Sequence, residues 1–140
     1  MPSNELQRHV GRLVEIRARS YRTAAEIDEM IGMIRAELGR FAPDEQAIIC
    51  ADWRGLRIFA PDVADKARVM LSTFNPRVKK SVVVISDDAP TALMQVTRLV
   101  REAAHPARRL VTQAVDAVEW LRDTLTPEEL ERAKVFLAGP

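Results

Sequence analysis

The stretch Lys80-Ser81-Val82-Val83-Val84-Ile85-Ser86-Asp87-Asp88 constrains the fold most. Four consecutive β-branched apolar residues between a basic start and an acidic end read as a short strand covered on both faces. Strands of that kind lie inside the sheets of α/β proteins. The rest of the chain must supply the cover.

Upstream, residues 10–19 alternate: Val14, Ile16 and Ala18 face one way and Glu15, Arg17 and Arg19 the other, the pattern of an edge or half-exposed strand. Thr23 and Glu26 form a capping-box pair ahead of Ile27, Met30, Ile31, Ile34 and Leu38 at helical spacing, with Gly39 placed to end the helix. A second strand, residues 46–51, holds Cys50 in an apolar setting, so its thiol is expected to be buried and inert. Residues 52–60 make the longest strand-to-helix connection. Pro61 then opens a helix where its missing N–H costs nothing, with Val63, Ala67, Met70, Leu71 and Phe74 as the apolar stripe and Asn75-Pro76 as the stop.

Beyond the central strand, Asp87, Asp88 and Pro90 cap and open a third helix with Leu93, Val96 and Val100 inward, ended by His105-Pro106. Residues 108–112 read as a fourth strand, and Val115, Val118, Trp120 and Leu121 mark a fourth helix. Thr126-Pro127-Glu128-Glu129 starts a last helix carrying Leu130, Ala133 and Leu137 or Phe136. This alternation predicts an α/β fold: a four-stranded, mainly parallel sheet built from β-α repeats, with an extra C-terminal helix. One domain over residues 1–140 is expected, since the length suffices for a core and no linker or repeat interrupts it.

Charge and cysteine content narrow the partners. With 21 Lys and Arg against 20 Asp and Glu, the molecule as a whole has no basic excess for nucleic acid or acidic lipid. A single cysteine excludes an internal disulfide. The first residues lack the apolar core of a signal peptide, and no apolar run approaches the roughly 20 residues of a membrane span. A cytoplasmic protein that does not insert in membranes is expected.

Ligands of parallel α/β sheets bind beyond the C-terminal strand ends, here the loops starting at Ser20, Asp52, Asp87 and Thr112. Asp52, Asp87 and Asp88 collect on that edge, but the placement departs from the acidic pair and lysine of phosphoryl-transfer receivers, and helix capping is the favoured role for Asp87 and Asp88. Arg77, Lys79, Lys80, Arg108 and Arg109 precede strands and read as a solvated rim offsetting helix C-termini, without aromatic residues for stacking bases. Neither a Gly-x-Ser-x-Gly elbow, a phosphate loop nor a metal-spaced Cys or His pair occurs. His9 and His105 fall on the edge opposite the ligand loops, in exposed or capping roles. No catalytic, metal or cofactor residue is assigned. The 52–60 loop is the more informative surface: Leu56 and Phe59 are expected to fold inward, while Trp53, Arg54 and Arg57 are residue types common at interface hot spots.

Cys50-Ala51-Asp52-Trp53-Arg54-Gly55, Ala60-Pro61-Asp62-Val63-Ala64-Asp65, residues 95–103 and Val118-Glu119-Trp120-Leu121 before Leu125-Thr126-Pro127 resemble the STAS (sulfate transporter and anti-sigma-factor antagonist) superfamily, and within it the SpoIIAA-like, STAS/SEC14-annotated bacterial branch. The resemblance implies a signalling or regulatory module that binds another protein and is not an enzyme, with a homodimer as a further expectation. The helix start that carries a phosphorylated serine in the anti-sigma antagonists is Phe59-Ala60-Pro61-Asp62 here, with no hydroxyl, so that switch does not transfer. The partner-binding residues this implies are Asp52, Trp53, Arg54, Arg57, Phe59 and Asp62. The alternative, prompted by the SEC14 label and the apolar loop, is a small-molecule or lipid-binding carrier, which needs an enclosed chamber of several hundred Å³.

Overall fold

The computed structural model describes residues 4–139. Its strands form one sheet in sequence order: β1 (Glu5–Gln7), β2 (Leu13–Arg17), β3 (Ala47–Asp52), β4 (Val78–Val84) and β5 (Arg108–Val111). β2 to β5 run parallel, and β1 lies antiparallel on β2, with Glu5 opposite Arg17 and Gln7 opposite Glu15. The sheet is therefore mixed and five-stranded, not four-stranded. β1 has one apolar residue and no β-branched one, so its pairing partner rather than its own pattern makes it a strand. It also takes β2 off the edge. Glu15, expected on a half-exposed face, is only 2% exposed.

Two helical layers cover the sheet. On one face α1 (Ala24–Leu38), α2 (Pro61–Phe74) and α3 (Pro90–Ala103) pack on Val14, Ile16, Ala51, Val83 and Ile85. On the other, α4 (Ala114–Leu121) and α5 (Pro127–Ala138) pack on Leu13, Ile48, Cys50, Val82 and Val84. Successive residues of β4 thus enter different cores, which is why its apolar run is unbroken.

Both capping boxes form. Thr23 Oγ1 accepts from the Glu26 N–H at 3.3 Å while the Glu26 carboxylate accepts from the Thr23 N–H at 3.2 Å, and Thr126 with Glu129 repeats the pattern. The inward stripes shift in two helices. α3 buries Ala92, Val96, Leu99 and Ala103, leaving Leu93 and Val100 only partly covered; α4 buries Ala117, and Val115 points to solvent. Asp87 and Asp88 do not cap α3: its N-cap is Ala89, Asp88 accepts from the Ser86 hydroxyl and Arg57, and Asp87 accepts from Gln113.

Candidate functional site

The C-terminal ends of β2 and β3 carry an ionic clasp. Asp52 is buried and accepts from Arg17 Nε at 3.0 Å and Arg54 Nε at 2.8 Å. Both arginines reach on to the end of α5: Arg17 Nη2 donates to the Phe136 carbonyl at 2.5 Å, and Arg54 Nη2 to those of Leu137 and Gly139 at 3.0 and 3.1 Å. Cations on the last carbonyls of a helix offset its negative end. Burial alone would raise the Asp52 carboxyl, but hydrogen bonds from Arg54 and Arg17 outweigh it and hold the group below the usual carboxylate range. Asp52 and Arg54, expected at a partner surface, are thus engaged in fastening the C-terminal helix.

A second set of bonds fastens the same helix from below. Arg132 on α5 donates to both oxygens of Glu15, at 2.8 and 2.9 Å, and His9 Nδ1 lies 3.1 Å from the same carboxylate. Glu129 accepts from the Arg12 N–H at 2.7 Å, directly over Gly11, whose φ of 56° and lack of a side chain let the backbone pass under the carboxylate.

Three apolar side chains of the following loop fold inward. Trp53 is 1% exposed, its ring edge-on to Tyr21 with centroids 5.7 Å apart, and its backbone N–H donates to the Val84 carbonyl at 2.8 Å. Leu56 and Phe59 are buried, the latter held by a two-way clamp in which Gln95 accepts from its N–H at 2.9 Å and donates to its carbonyl at 2.8 Å. Trp53 and Phe59 therefore cannot be partner contacts, because their side chains are spent inside. What the loop presents is Arg57 and Ile58, with Ile58 67% exposed, followed by exposed Asp62 at the first turn of α2. Across the clamp on α3, Met94 is 75% exposed. Leu56 and Phe59 fold inward as the sequence pattern predicts, whereas Trp53, expected at the surface, joins them.

Other candidate groups are already engaged. Burial raises the Cys50 thiol, consistent with an inert core cysteine. His105 Nδ1 accepts from the Ala107 N–H at 3.0 Å and Nε2 lies 2.7 Å from the Val78 carbonyl, so the ring joins the loop to the start of β4 rather than capping α3. Among the described residues no group of three or more His, Cys, Asp and Glu side chains is placed to hold a metal, and no helix is long and apolar enough to cross a membrane.

The basic rim differs from its reading. Arg77 does donate to the last α1 carbonyl, at 3.3 Å to Leu38. Trp120, however, joins the rim: Lys80 and Arg109 each lie 4.1 Å from its ring centroid, and its Nε1 donates to the Ser81 carbonyl. Arg108 turns inward, donating to Ser81 Oγ at 3.2 Å and Asn75 Oδ1 at 2.8 Å. Its charge looked like a solvated one because sequence spacing does not report side-chain direction.

The sequence matches no known family model and no curated protein.

Proposed function

We propose that this chain is a non-catalytic, STAS-like regulatory module that docks on another protein through the tip formed by Arg57, Ile58 and Asp62. The observation that carries the reading is Ile58: a large apolar side chain 67% exposed between two buried anchors, Leu56 and Phe59. Fixing both neighbours lowers the ordering cost that a flexible loop would incur on binding, which is the usual advantage of a preorganised anchor. Arg57 and Asp62 give the tip one charge of each sign, so a complementary partner surface is polar around an apolar socket.

A non-catalytic role agrees with the engagement of Asp52, His105 and Cys50 in structural contacts. A bacterial setting and a homodimer are parts of this proposal that rest on the resemblance, and the cytoplasmic setting and single domain are parts that rest on the sequence pattern. The carrier alternative is set aside because the interior cavity under the loop measures about 30 Å³, against the several hundred Å³ of a carrier chamber.

The test is affinity capture from the source cell with the tagged protein, comparing wild type with Ile58→Asp and Arg57→Glu. Both variants are expected to keep the native circular dichroism and to lose the same discrete partner; retention of that partner by both contradicts the reading.

A further inference from the structure

β5 is the last strand of the sheet, paired with β4 on its inner side only. The Ala107 and Val111 carbonyls point inward, accepting from the Ser81 and Ile85 N–H groups at 3.0 Å each. In a trans peptide the C=O and the next N–H point opposite ways, so along β5 the Arg108 C=O, both Leu110 groups and the Thr112 N–H point outward. Among the described residues none of these four has a hydrogen-bond partner; the Arg108 N–H is already spent on the His105 carbonyl at 3.3 Å.

Native sheets guard an edge with bulges, proline, a covering helix or charge. The register of β5 on β4 runs without a shift, and β5 itself holds no proline. Its flanking helices leave a groove along the edge, lined by Leu93 and Thr97 of α3 and by Asp116 and Trp120 of α4. Charge is the guard that is present, and it carries two signs. Exposed Arg109 sits near the start of β5, over Trp120, and exposed Asp116 follows its end; neither forms an ion pair among the described residues.

That order of signs selects the occupant. A basic strand laid on this edge answers Asp116 and meets Arg109 with like charge; an acidic strand does the reverse. A surface with the same two signs in reversed order answers both, which is what a two-fold axis makes of a second copy. With the axis at Leu110, the two Leu110 residues exchange both of their bonds, and the Thr112 N–H of each copy donates to the Arg108 C=O of the other. Arg109 and Val111, which both face the α4–α5 layer, come opposite one another, bringing Arg109 toward Asp116 of the other copy. On the other face the partly covered Leu110 side chains meet beside Leu93.

We propose that this chain forms a two-fold dimer by antiparallel pairing of β5 with β5 of a second copy, joining the two sheets into one. This deepens the homodimer part of the proposed function and rests on that part alone. The docking tip at Ile58 belongs to the loop after β3 and stands or falls by its own capture experiment.

The experiment is sedimentation equilibrium of the full chain over a concentration series, with amide hydrogen exchange on the same samples. A dimer is expected, with the Leu110 and Thr112 amides gaining protection as concentration rises. Leu110→Cys is expected to form a disulfide with its copy on mild oxidation, because residues in such a pair lie about 5.5 Å apart, within disulfide range. Exposed Val135→Cys is the control that does not, and the native Cys50 is buried. Arg109→Asp and Asp116→Arg are each expected to weaken the dimer about tenfold, since each acts at both copies of a rim ion pair. The combined variant is expected to restore it, a rescue that a folding defect does not give. A chain that stays monomeric at about 1 mM, where even a millimolar Kd shows, overturns the proposal, as does a monomer whose edge takes up an added lysine-rich strand peptide instead. So does a dimer in which Leu110→Cys fails to crosslink and both charge reversals are without effect.

Discussion

Toward α4 and α5 the sheet presents two buried carboxylates, Glu15 and Asp52, and each is met by arginine on good geometry. Toward α1, α2 and α3 it meets Arg108, Tyr21 and Trp53, and each of these keeps a buried donor without a partner. One face is thus closed by ion pairs that tie the C-terminal helix to β2 and β3, while the other holds buried donors that meet no partner among the described residues. Pairing decides whether a buried charge helps stability: a satisfied one is costly to break, and an unsatisfied one is cheap or favourable to remove.

The comparison breaks first at Asp52. Asp52→Ala is expected to cost about 3 kcal/mol in urea unfolding, because Arg17 and Arg54 lose their shared anion and the end of α5 loses its anchor. The same group sets an acid limb. Its folded carboxyl lies below the usual range, so its contribution is complete above the unfolded value of about 4 and disappears as pH falls through the lower folded value. Asp52→Asn is expected to flatten that part of a stability–pH curve; an unchanged acid limb would show that the pairs contribute nothing.

Gly11→Ala comes next, at about 2 kcal/mol, because the added carbon combines a left-handed backbone with a clash against the tied Glu129 carboxylate. A thermal melt matching wild type would mean that α5 docks loosely there. On the opposite face, Arg108→Met is expected to leave stability unchanged or raise it by up to about 1 kcal/mol, since it removes a cation with no counter-ion. A loss of several kcal/mol would place Arg108 among the structural ion-pair residues and erase the contrast between the faces. Smallest of all, Ile58→Asp is expected to change stability by less than about 0.5 kcal/mol, the usual range for an exposed position.

Much of the fold was legible because the elements carry their own signals. The two capping boxes, Pro61 and Pro90 at helix starts, and the β-branched run of β4 are local features, and the structure keeps them in place. β1 was not legible, since Glu5-Leu6-Gln7 becomes a strand only by lying beside β2. The site was read less well for a related reason. Phe59 was expected inward, but Trp53 is an aromatic side chain in a loop, and only the Tyr21 ring, distant in sequence, decides that it points inward. Likewise Arg108 and Arg109 are adjacent and chemically identical, yet alternation along β5 sends one toward Ser81 and Asn75 and the other over Trp120. Direction across a sheet needs register, and register needs the partner strand.

The docking claim is tested most directly by photo-crosslinking in the source cell, with a photoreactive residue placed at position 58 and, as controls, at the exposed positions Val115 and Val135 on the other helical layer. The proposal expects one discrete protein adduct from position 58 that is absent from the controls and lost when Arg57→Glu is added. No adduct at position 58, or the same adducts from all three positions, would contradict it.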